Sequence, residues 1–66
     1  MKLTALHFAA YNDDPDVVIL LMKNGALQMK DNEGNTPVDF AGMCDNFEVL
    51  KIFFDDFNRK ITNGYP

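Results

Sequence analysis

The sequence predicts an all-α chain, two helix-turn-helix units joined by one short β-hairpin-like finger. The first observation behind this is a self-match at a shift of 32 positions. Thr4 meets Thr36, Phe8 meets Phe40, Ala9 meets Ala41, Asp13 meets Asp45 and Val17 meets Val49. Apolar pairs continue the register at Leu6/Val38, Val18/Leu50, Leu20/Ile52, Leu21/Phe53 and Met22/Phe54. A period of this size marks stacked repeats. The second observation is apolar spacing of helical type within each unit, broken by turn residues. The third is composition: 47% hydrophobic and 24% charged residues are globular values, and 66 residues hold one small domain.

Thr4 is placed to cap a short helix over 5–11, with Leu6, Ala9 and Ala10 on its inner side. Asn12, Asp13 and Asp14 supply turn chemistry, and Asp14-Pro15 reads as cap and first position of a second helix. Val17, Val18, Leu20, Leu21 and Met22 make that helix apolar around most of its circumference, so both sides require cover. Asn24-Gly25 stops it, with Gly25 suited to the left-handed region. Residues 26–35 form a turn-rich connector, too polar for a core strand. Thr36-Pro37-Val38-Asp39 is a capping box with proline at the first helical position, and Asn46 is placed to cap a last helix over about 47–57. The expected core is Leu6, Ala9, Leu20, Leu21, Val38, Ala41, Ile52 and Phe53.

Thr4-Ala5-Leu6-His7-Phe8-Ala9-Ala10, then Val17 to Met22, then Gly25-Ala26, resembles the ankyrin repeat, whose pattern is T-P-L-H-x-A-A, V-V-x-L-L-L and G-A at these spacings. Asp31 to Val38 is similar to that family's D-x-x-G-x-T-P-L finger and helix start. The resemblance covers about residues 4–58 and implies an ankyrin-type α-solenoid fragment. It divides the chain into a first repeat at about 4–35, a terminal repeat at about 36–58 and a tail at 59–66. Several departures qualify it. The period is one residue short of the usual length. Asp13 and Asp45 stand where the family prefers glycine, and Asp39 replaces the motif histidine. Phe57-Asn58 replaces the Gly-Ala that launches another finger, hence the terminal reading.

Catalytic and metal chemistry finds little support. His7 is the single histidine, and the resemblance gives it a structural role, hydrogen-bonded around the first helix through Thr4. Cys44 is the single cysteine, so no internal disulfide or cysteine-based zinc set forms, and it reads as a buried or groove-lining thiol. Asp13, Asp14, Asp16, Asp45 and Glu48 lack calcium-loop spacing and read as caps and dipole partners of the second helices, with an acidic edge for a basic partner as the other reading. Asp55-Asp56 lies unfavourably near the expected helix end, and Arg59-Lys60 compensates. No cofactor or metal is expected.

The net charge of -4 argues against nucleic acid and anionic membranes as partners. The longest apolar run, Val17 to Met22, is far too short to span a membrane, and no signal peptide is evident. An intracellular, cytoplasmic setting is expected. The expected function is non-catalytic binding of a partner protein. The resemblance places contacts on the finger and on the concave face of the first helices: Lys30, Asn32, Glu33 and Asn35, Tyr11 and Asn12, Met43 and Cys44. Alternatives are a small acidic inhibitor of a basic surface and a self-associating piece of a longer array. Phe47, Phe53, Phe54 and Phe57 leave the last helix apolar on more than one face, and Met1, Leu3 and Val17 to Met22 lack a preceding repeat. Covering several hundred Å2 at about 25 cal/mol per Å2 is a large term for so small a chain, so self-association through the ends, first as a dimer, or an obligate partner is expected.

Overall fold

Thr4 and Thr36 open their helices in nearly the same backbone geometry, φ -105°, ψ 169° and φ -94°, ψ 167°. The computed structural model describes residues 2–63, with side chains through Arg59. Met1, Lys60 and the end of the tail, which entered the expectations above, lie outside the described side chains. The elements are α1 (Ala5–Tyr11), α2 (Pro15–Lys23), α3 (Pro37–Met43) and α4 (Phe47–Asn63). The N-termini of α1, α2 and α3 are locally satisfied. Thr4 Oγ1 accepts from His7 N–H at 3.3 Å while His7 Nδ1 accepts from Thr4 N–H at 3.0 Å. In the second unit Asp39 Oδ2 accepts from Thr36 N–H at 3.0 Å and from its hydroxyl at 3.1 Å. Asp14 Oδ1 accepts from Val17 N–H at 3.4 Å, and Pro15 needs no donor partner at the first position.

Three helices end in the same motif, a left-handed residue whose N–H and successor return to the last turn. After α1 these bonds are Asp13 N–H to Ala10 O and Asp14 N–H to Ala9 O, at 3.4 and 3.1 Å. After α2 they are Gly25 N–H to Met22 O and Ala26 N–H to Leu21 O, at 3.1 and 3.0 Å. After α3 they are Asp45 N–H to Gly42 O and Asn46 N–H to Ala41 O, at 3.3 and 2.9 Å. Gly25 takes φ 90° without strain, whereas Asp13 and Asp45 hold φ 54° and 56°. Aspartate is among the few residues that tolerate this region.

α1 packs on α2 and α3 packs on α4, while α1 also meets α3 and α2 meets α4, so the two units stack like on like. The core is Leu6, Ala9 and Ala10 of α1, Val18 of α2, Ala41 of α3, and Val49 and Phe53 of α4. Alanines at the α1–α3 contact let the two backbones approach closely. Leu21, Met22, Val38, Leu50, Ile52 and Phe57 pack half-buried around this centre.

Several expectations need correction. Leu20 is 58% exposed and outside the core. Its place is taken by Val18 and Val49, because burial follows the side on which a neighbouring unit lies. α4 runs on to Asn63, since no glycine or proline interrupts 58–63. Asp55 and Asp56 therefore sit within the helix rather than at its end, and Arg59 is part of it. The finger contains no assigned strand among the described residues. Cys44 is exposed, not buried.

Candidate protein-binding surface

The connector after α2 ends in a tip held by one carboxylate. Asp31 Oδ1 accepts from the N–H groups of Glu33 and Asn35, each at 2.9 Å. Asp31 N–H donates to the Asn35 carbonyl at 2.9 Å, and Gly34 N–H donates to the Asp31 carbonyl at 3.1 Å. Gly34 sits at φ 82°, where a side chain would be strained. Lower down, Gln28 Oε1 accepts from Val38 N–H at 3.0 Å, tying the connector to the start of α3. The finger is thus fixed by side-chain bonds to its own backbone, which replace strand pairing.

His7 anchors the same finger from the first unit. Its Nδ1 accepts from Thr4 N–H, so the ring hydrogen is on Nε2, which donates to the Asn35 carbonyl at 2.9 Å. The Phe40 ring meets His7 edge-on, centroids 5.1 Å apart, and meets Tyr11 in a second edge contact at 6.5 Å. Asn46 closes the other end of the joint, donating from Nδ2 to the carbonyls of Ala10 and Tyr11 at 2.6 and 3.2 Å.

Between finger and α3 lies a cleft of about 280 Å3. It is lined by the apolar side chains of Leu3, Phe40 and Met43, the apolar floor, together with the polar residues Asp31, Asn32, Glu33 and Asn35 of the finger. Of the residues singled out by sequence, Asn32, Glu33, Asn35 and Met43 come together here. Met43 is 64% exposed, and Tyr11, 60% exposed, stands beside the cleft through its contact with Phe40. Lys30 is exposed on the connector outside the lining. Asn12 and Cys44 are the C-cap residues of α1 and α3 and also lie outside it. Leu3 and Phe40 were missed as lining residues, since Leu3 reads as part of a leading end without a preceding repeat and neither residue carries turn chemistry. Phe40 carries a visible signal only through its repeat partner Phe8.

The cleft offers an apolar floor with carboxylates beside it. No hydrogen bond or ion pair engages the Glu33 side chain among the described residues. No group of three or more His, Cys, Asp or Glu side chains is placed to hold a metal ion among them. No helix is long and apolar enough to cross a membrane.

The family model for ankyrin repeats (many copies) matches residues 2–41. The transient receptor potential cation channel subfamily A member 1 of Homo sapiens is 39% identical over 61 residues, 92% of this chain and 5% of that protein. No solved structure matches. Ankyrin repeats are generally protein–protein interaction modules and typically non-catalytic. With the capping boxes, the like-on-like helix stack and the family match in agreement, the chain belongs to the ankyrin repeat family.

Proposed function

We propose that this chain binds a partner protein without catalysis, through the finger and the exposed side of the first helices. The cleft between Glu33 and Met43 is the observation that carries this reading. Its floor accepts a bulky apolar side chain, and the Asp31 and Glu33 carboxylates favour a lysine or arginine next to it. The occupant that fits is an extended segment pairing those two residue types. Tyr11 offers a large contact area at small entropy loss, and Met43 adapts its shape. Asn12, Lys30 and Cys44 flank the contact. We assign the setting as intracellular, where an exposed thiol such as Cys44 stays reduced.

The test is binding of a partner captured from the native source, measured by calorimetry for the wild type and for Glu33→Lys with Met43→Ala. Loss of binding with helicity retained supports the cleft; unchanged affinity overturns it. The exposed acidic turns, with Asp13, Asp14, Asp16, Asp45 and Glu48, favour the alternative of an acidic inhibitor. That contact would weaken steeply with salt, whereas the apolar floor holds most of its affinity.

A further inference from the structure

The joint between the two units is a template for the two open ends. Two buried side chains cross it as hydrogen-bond donors: His7 Nε2 to the Asn35 carbonyl, and Asn46 Nδ2 to the Ala10 and Tyr11 carbonyls. The repeat register holds in the backbone as well as in the sequence. Caps, helix bounds and left-handed residues of α1 and α3 recur 32 positions apart, as Thr4 and Thr36, Asn12 and Cys44, Asp13 and Asp45 show.

One unit forward, the donor His7 becomes Asp39, and the acceptors on Ala10 and Tyr11 become those on Gly42 and Met43. One unit back, the donor Asn46 becomes Asp14, and the acceptor on Asn35 becomes that on Leu3. The apolar residues keep their match. Phe8 is 54% exposed at the leading end, while its counterpart Phe40 packs on His7 and Tyr11. Val38, Leu50 and Phe54 line an open concavity at the trailing end. In register, the apolar residues of the two ends thus correspond to those that meet at the joint, as a head-to-tail second copy requires.

The polar groups do not match. Such a copy brings Asp39 to the Leu3 carbonyl and Asp14 to the Gly42 and Met43 carbonyls. An ionised carboxylate accepts only, so each contact sets acceptor against acceptor and removes water from both. We propose that Asp14 and Asp39 exclude a second copy of this chain from in-register stacking. They reserve the open ends for a different helical pair of the same register, one that brings its own side-chain donor to the Gly42 and Met43 carbonyls or to the Leu3 carbonyl. Head-to-tail self-association through the apolar ends is thereby disfavoured.

The decisive variant is D14N/D39H, which places at each end the residue that the other unit already uses. Asparagine caps as well as aspartate, and His7 already closes a capping box with Thr4, so the fold is retained. Sedimentation equilibrium across the micromolar range at fixed salt is the measurement. The wild type is expected to stay monomeric, and D14N/D39H to self-associate at least about tenfold more tightly. D16N/D55N, which removes the same charge at two other exposed positions, is expected to behave as wild type. Equal self-association of wild type and D14N/D39H overturns the proposal, as does a D14N/D39H chain that remains monomeric or a D16N/D55N chain that matches it. If D14N/D39H loses helicity, D14N alone carries the same comparison, since Asn46 occupies the equivalent position in the second unit.

Discussion

Asn46, at the start of α4, donates its side-chain amide to the carbonyl of Ala10 at 2.6 Å, across 36 residues of chain. One residue that reads as a local helix cap therefore fastens the second unit to the end of the first. Its substitution tests the joint directly. Asn46→Ala leaves the Ala10 and Tyr11 carbonyls without their cross-unit donor and is expected to cost about 2–3 kcal/mol in urea unfolding. A loss below about 0.5 kcal/mol, the level of an ordinary surface change, would contradict this role.

His7→Phe keeps a ring in the buried site while removing the bonds to Thr4 and Asn35. The expected loss is about 2 kcal/mol, together with faster amide exchange at Asn35 and Thr36 as the finger loosens. Unchanged exchange in the finger would show that His7 does not hold it.

Asp45 holds φ 56° in the motif that ends α3. Asp45→Gly is expected to stabilise by about 0.5–1 kcal/mol, and Asp45→Ala to destabilise, because alanine gains nothing in the left-handed region. Thermal melts of the two variants shifting in the same direction would refute the strain.

Burial depends on place in the stack. Phe53→Ala is expected to cost about 3–5 kcal/mol, since its ring is fully buried. Leu20→Ala, at the exposed leading end, is expected to change stability by less than about 1 kcal/mol. Equal losses would mean that the leading end is covered in solution.

The contrast between Leu20 and Val49 also shows what the sequence can and cannot tell. Periodicity identified both as apolar positions on second helices, and the caps at Thr4, Thr36 and Asp14 were legible because each is a local exchange within a few residues. Which apolar residues become core depends on which side of the stack has a neighbour, and no single-unit pattern records that. The partners of His7 and Asn46 in the other unit were hidden for the same reason. At the cleft, the polar lining was legible as turn chemistry. The floor was not, because Leu3 and Phe40 reach it from different units.

The cleft itself can be tested without knowing the natural partner. Random peptides are selected on the immobilised chain, and the tightest is titrated into the isotopically labelled protein while amide and methyl shifts are followed by NMR. Enrichment of peptides pairing a bulky apolar residue with lysine or arginine is expected, with the largest shifts at Glu33, Phe40 and Met43. Shifts confined to the groove of Ile19, Met22 and Ile52 between α2 and α4 would contradict binding at the finger.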